Sequence, residues 1–226
     1  MKTQYRLLSY TLGANTYGYG GERLLGIEQD REISKGDSCN TFIMNLPNHI
    51  GTHLECPNHF YNSGKKIYEY KMKDFIFSKP ITLNCPKSPN ELVSEDDIKK
   101  DYKRLKEADL LLLRTGFFRY RKTYKYGTEN PGVAPEAARF IRKYLNNIKC
   151  VGIDTVSVSP YKNRELGRKT HRIFFKNNLK NEPVCLIEGM NLSGRLDNLK
   201  KVHVFPLFIS DIDSSPCVAL GILKNR

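Results

Sequence analysis

Residues 48–60 read NHIGTHLECPNHF and hold three of the chain's five histidines together with Glu55. A helix would place Glu55 about 200° round the wheel from His53, and Gly51 and Pro57 both disfavour a helix interior. Taken with a period of two, His49, His53, Glu55 and His59 share one face, while Ile50, Thr52, Leu54 and Cys56 share the other. The spacing therefore predicts an extended segment that presents its ionisable groups together. A straight strand would separate His49 from His59 by about 33 Å, so the segment must bend, and Gly51 and Pro57 are the positions that permit it. Imidazoles and a carboxylate on one bent face form a donor set suited to Zn²⁺ or Mn²⁺. A core histidine bonded to backbone is the plain alternative for any one of them, but it does not account for four such groups between positions 49 and 59.

Working outward, the chain has 226 residues, of which 39% are hydrophobic and 11% aromatic. That is enough for one sizeable core, and no linker or repeat divides it, so residues 1–226 are read as a single domain. The net charge of +13 raises the question of a polyanion partner. The basic residues of KKDYKRLKEAD (99–109), RFIRKYL (139–145) and YKNRELGRKTHR (161–172) are interleaved with acids and apolar residues. They predict a solvated basic surface that draws small anionic molecules, and they argue against a nucleic-acid site. The six cysteines are scattered without a C-x-x-C pair, and most of them are expected to be reduced core residues. No apolar run is long enough to span a bilayer, and the protein is expected in the cytoplasm without membrane attachment.

The second half alternates apolar runs with helical patterns, which predicts an α/β class. ADLLLLRTGF (108–117), KCVGIDTVSV (149–158), EPVCLIEGM (182–190), VHVFPLFIS (202–210) and PCVALGIL (216–223) read as buried strands. APEAARFIRKYLNN (134–147) reads as a helix with Pro135 in its first turn, and SEDDIKKDYKRLKE (94–107) as a more exposed helix capped by Ser94. The first ninety residues read as β-rich with long loops. FFRYRKTYKYGTENPG (117–132) has no clear period; it reads either as a substrate lid or subunit contact, or as a loop whose rings pack back onto the domain.

The stretch His49-x-Gly51-Thr52-His53-x-Glu55-x-Pro57-x-His59-Phe60 resembles the H-x-G-T-H-x-D-x-P-x-H-F signature of the cyclase and bacterial kynurenine formamidase family of metal-dependent hydrolases, with glutamate in place of aspartate. Similarity continues through LLLRTGF (111–117), PGVAPEAARFI (131–141), VGIDTVSV (151–158), KTHRIFF (169–175) and LIEGMNL (186–192), and more weakly through residues 205–223. The resemblance implies the swivelling β/α/β arrangement of that family in a homodimer or tetramer. It implies one or two Zn or Mn ions held by His49, His53, Glu55, His171 and Glu188, with His59 as the acid/base. The implied activity on a small-molecule substrate is hydrolysis of an amide or formamide C–N bond, N-formylkynurenine being the family substrate to test. Cyclisation or dehydration at the same metal site, or a binding protein without catalysis, are the alternatives.

The residues themselves agree with parts of this. His171 shares a helix face with Phe174 and Phe175, which turns its imidazole inward, and Glu188 lies in an apolar run where an unpaired carboxylate is costly to bury. Asp154 and Ser157, and Arg114 and Thr115, lie at strand ends; the first pair is expected to stabilise a turn, the second to orient substrate. The extra methylene of Glu55 moves its carboxylate by about 1.5 Å, which favours a single ion over two held ~3.5–4 Å apart.

Overall fold

The structure is a computed structural model and describes residues 3–177 and 181–224. The first third is built of strands: β1 (Thr3–Leu7), β2 (Gly26–Arg31), β3 (Thr41–Asn45), β4 (His53–Glu55), β5 (Ile76–Phe77) and β6 (Pro80–Asn84). There follow β7 (Leu92–Val93), α1 (Glu95–Lys99), α2 (Tyr102–Leu105), β8 (Leu110–Arg114), α3 (Tyr124–Thr128), β9 (Gly132–Val133) and α4 (Pro135–Tyr144). The chain continues with β10 (Cys150–Ile153), α5 (Arg164–Phe175), β11 (Cys185–Glu188), β12 (Leu199–Pro206) and β13 (Ser214–Lys224). Each of the five strands expected in the second half is present: β8, β10 and β11 are shorter than their apolar runs, β12 starts earlier than its run, and β13 extends beyond its run at both ends.

The main sheet runs β5-β12-β13-β4-β11-β10-β8-β6, with β1 added on β13. Strands β6, β8, β10 and β11 are parallel, and β4 is antiparallel to both of its neighbours, β11 and β13. The two ends of this path, β5 and β6, are separated in sequence only by Ser78 and Lys79, so the sheet nearly closes on itself. The fold is the expected mixed α/β class. Leu110 to Leu113 are all fully buried, as a parallel strand covered on both faces requires. Leu111 and Leu113, with Val151, Ile153 and Leu186, pack on the side of α4 and α5. Leu110 and Leu112, with Leu54, Cys56, Cys150, Cys185 and Ile187, fill the other side.

Pro135 opens α4, which buries Ala137, Ala138 and Ile141. The stretch 94–107 is two short helices, not one: Ser94 caps α1 by accepting from Asp97 N–H, but Asp101 leaves the helical region at φ −109°, ψ 14°, and the chain restarts to bring Leu105 into the core. In 117–132, Phe117 and Tyr126 are buried against Val156, and the Tyr126 hydroxyl donates to the Asp154 carbonyl at 3.1 Å; these two rings pack back onto the domain, whereas Tyr124 is exposed. The β2–β3 hairpin, by contrast, exposes Ile27, Phe42, Ile43 and Met44. Among the described residues no helix is long and apolar enough to cross a membrane.

Candidate metal centre

The bend anticipated at Gly51 is real, and a second glycine answers it. Gly51 has φ +68° and Gly189 φ +67°. A Cβ on Gly189 would stand 2.2 Å from the Gly51 carbonyl oxygen, so the two backbones approach as only glycine allows. Thr52 Oγ1 donates to the Gly189 carbonyl at 2.7 Å and locks that contact. His53 is thereby set opposite Glu188 in the β4–β11 ladder, while Pro57 begins a single 3₁₀ turn that returns His59 to the same space. Helix α5 brings His171 in from above, its ring stacked on Phe60 at 4.8 Å.

The five expected ligands, His49, His53, Glu55, His171 and Glu188, and the expected acid/base His59 all line one cavity of about 300 Å³. Glu55 is the hub. Its Oε1 lies 2.8 Å from His49 Nδ1 and 3.3 Å from His53 Nε2, and its Oε2 lies 3.3 Å from His171 Nε2. Glu188 Oε2 is 3.5 Å from His53 Nε2, while its Oε1 accepts from Ser157 Oγ at 3.0 Å and Val158 N–H at 2.6 Å. Ser157 thus supports the site through Glu188. Among the described residues, three sets of donor atoms lie close enough to hold an ion: His49, His53 and Glu55; Glu55, His59 and His171; and His49, His59 and Asp213.

Carbonyl and carboxylate oxygens orient the rings. Nδ1–H of His171 donates to the Gly167 carbonyl at 2.9 Å, and Nδ1–H of His53 to the Gly51 carbonyl at 3.2 Å, which leaves both Nε2 atoms as lone-pair donors to an ion. His59 Nδ1 lies 2.6 Å from Asp213 Oδ2, and His49 Nε2 lies 2.8 Å from the same oxygen. Burial alone would lower the pKa of His171, but Glu188 and Glu55 raise it to about 10. His49 reaches about 10 in the same way, against burial, through Asp213 and Glu55. Glu55 is held well below the usual carboxylate range because the His171, His49 and His53 imidazoles around it outweigh its burial.

Glu55 Oε2 and His171 Nε2 are buried with no hydrogen-bond partner. Each such atom costs about 1–3 kcal/mol when nothing satisfies it. The donor set is nitrogen and oxygen without thiolate, which suits Zn²⁺ or Mn²⁺; the residues present fit a divalent ion.

Asp213 was not singled out in the sequence. It precedes β13, within the most weakly similar stretch, and only the β13–β4 pairing brings it beside His49; Asn48 donates to its other oxygen at 2.8 Å. Tyr19, Arg164 and Arg168 also line the cavity. The arginines stand one turn apart and His171 follows at i+3 from Arg168, so all three share one face of α5. Arg114 and Thr115 do not border this cavity. Arg114 lines another, with Arg104 and Asn84. Thr115 donates to Asp154 through its amide at 3.0 Å and its hydroxyl at 2.6 Å, which ties the end of β8 to the turn after β10.

Residues 7–160 match the family model described as "Putative cyclase". The chain belongs to this cyclase family. A kynurenine formamidase of Bacillus thuringiensis subsp. konkukian is 25% identical over 215 residues, 94% of each chain. Among solved structures, isatin hydrolase A from Labrenzia aggregata superposes with a TM-score of 0.81 at 18% identity, covering 99% of this chain and 94% of that one. A protein titled a predicted metal-dependent hydrolase, from Bacillus stearothermophilus, superposes with a TM-score of 0.74 at 20% identity, over 98% and 99%. The cyclase-family signature thus coincides with β4 and the turns on either side of it.

Proposed function

We propose that the protein is a metal-dependent hydrolase of a small, non-peptide amide or formamide, using water as the nucleophile. The observation that carries this reading is the pair of buried, unpartnered donor atoms, Glu55 Oε2 and His171 Nε2, inside a cavity of about 300 Å³. Kinship with an enzyme named kynurenine formamidase over 94% of the chain supports the C–N bond as target. His49, His53 and Glu55 would hold a Zn²⁺ or Mn²⁺ ion, with His171 and Glu188 completing the set or holding a second. Such an ion, when bound, polarises a carbonyl oxygen and lowers the pKa of water to about 7.

His59 carries the proton. Asp213 anchors its Nδ1, so Nε2 is left to accept a proton from water and return it to the departing nitrogen. Arg164 and Arg168 at the mouth favour a substrate with a carboxylate, which gives the basic surface a small anionic ligand in place of nucleic acid. Unpaired cysteines accord with a cytoplasmic setting.

The test is turnover by metal-loaded protein across aryl formamides, cyclic imides and lactones. Hydrolysis of the first two classes is expected; a protein that binds metal but turns over only lactones would overturn the C–N assignment. A homodimer or tetramer is also proposed, supported by the apolar residues exposed on the β2–β3 hairpin. Sedimentation at micromolar concentration should give a mass of at least twice 26.0 kDa, and a monomer there would refute it.

A further inference from the structure

On the far side of β4 and β11 from the imidazoles lies a second cavity, of about 820 Å³, lined among others by Lys65, Tyr70, Phe75, Phe77, Cys150 and Cys185. Leu186 pairs with Glu55, and Ile187 with Leu54, in the antiparallel β4–β11 ladder. The ladder's last pair is Leu186 with Glu55, and continuing its register by one residue sets Cys185 against Cys56. Both belong to the apolar layer that also contains Leu54 and Ile187, so the two side chains point to the same side of the sheet. Directly opposed residues in an antiparallel pair have Cα atoms about 4.5 or 5.5 Å apart, and both values fall within the ~4.4–6.8 Å window of a disulfide.

We propose that Cys185 is an oxidant-sensitive thiol reached through this cavity and that Cys56 is its resolving partner. The Cys56 thiol belongs to the same apolar layer as Cys185, Tyr70 with its phenol hydroxyl borders the same cavity, and the Lys65 ammonium sits 3.9 Å above the Tyr70 ring. Hydrogen-bond donors and a nearby cation of this kind stabilise a thiolate. They hold Cys185, chiefly through Cys56, below the ordinary thiol value despite burial. Cys85 and Cys217 lack such donors, and burial pushes both up.

The chemistry balances with hydrogen peroxide as the oxidant. The Cys185 thiolate attacks one peroxide oxygen; the O–O bond breaks, an S–O bond forms, and the released hydroxide takes up a proton to become water. The Cys56 sulfur then attacks the sulfenic sulfur, forming S–S and breaking S–O, and a second water leaves. The two sulfurs lose two electrons and peroxide gains them. The bond forms one residue from Glu55 and ties β4 to β11 beside the metal centre.

The test uses metal-loaded Cys39→Ser protein, which removes the half-buried Cys39 as a source of intermolecular disulfides. After peroxide treatment, unfolding in a thiol-blocking reagent and peptide mapping, one linkage between Cys56 and Cys185, reversed by dithiothreitol, is expected. In the same parent, iodoacetamide should label Cys185 at least about 10-fold faster than Cys85 or Cys217, as thiolate character predicts. The labelling rates need no further variant. Cys56→Ser should leave a sulfenic acid at Cys185 that dimedone traps. A Cys150–Cys185 linkage, or equal labelling of Cys185, Cys85 and Cys217, would overturn the proposal.

Discussion

Glu55 Oε2 and His171 Nε2 face each other at 3.3 Å, buried and without a well-aligned hydrogen bond to each other or to another group. Because His171 Nδ1–H is committed to the Gly167 carbonyl, a neutral ring would direct a lone pair at a carboxylate lone pair. Something positive belongs there, either a proton or a metal ion. In metal-free protein it is the proton, since Glu188 and Glu55 raise the His171 pKa to about 10 against the effect of burial.

Metal uptake at neutral pH should therefore release about one proton or more per ion, and affinity should rise with pH up to about 10. The pKa of metal-free His171 is raised from 6.5, so its contribution to folding stability is fully present below about 6.5 and is lost as pH rises through about 10. Calorimetric titrations in buffers of different ionisation heat measure the released protons. Binding without proton release would mean that neither His171 nor His49 is a ligand.

Replacing His53 with alanine should abolish tight metal binding, because its Nε2 stands between the Glu55 and Glu188 carboxylates. His59→Ala should keep at least one ion while turnover falls by about 10²-fold or more, as for a lost acid/base group. Elemental analysis beside steady-state rates separates the two; equal metal loss in both variants would assign His59 to the ligands.

In Glu55→Asp, the carboxylate retreats by about 1.5 Å while its backbone stays pinned between Leu186 and Ser214. A shorter acid cannot reach both His49 and His171, so affinity should fall by about 10- to 100-fold. The extra methylene, which on sequence grounds argues for a single ion, is what lets one carboxylate touch histidines from two different elements. A new second binding event in the aspartate variant would refute this.

Arg168→Ala should raise KM for a carboxylate-bearing amide by about 10-fold or more while leaving kcat and the KM of an uncharged analogue nearly unchanged, as expected for binding that is uniform along the reaction. Equal effects on both substrates would remove the anionic-substrate assignment.

Local rules made half of this site legible. Period two placed His49, His53, Glu55 and His59 on one face, and the Gly51 bend followed from the distance that a straight strand would impose. The inward face of α5 was visible in the spacing of His171, Phe174 and Phe175. Asp213 was not, because its role depends on β13 pairing with β4 across more than 150 positions, and nothing in DIDSS distinguishes it from Asp211, which reaches out to Lys66. Arg164 and Arg168 were hidden among other basic residues, and the end of a strand such as Arg114 carries no sign of which cavity its side chain will line. The break at Asp101 escaped notice because the charged pattern of 94–107 continues across it.

Strand β4 is only three residues long, yet in the strand path it alone joins the parallel strands on its β11 side to the antiparallel strands on its β13 side. It behaves as a keystone. An ion held by His53 and Glu55 from β4, His171 from α5 and Glu188 from β11 would fasten β4 to the parallel wing, and the β4–β13 ladder would pass that constraint to the other wing, so loading the centre should slow amide exchange at Leu54 and Cys56 and in the first residues of β13. Chemistry and mechanical closure of the sheet would then rest on the same few atoms.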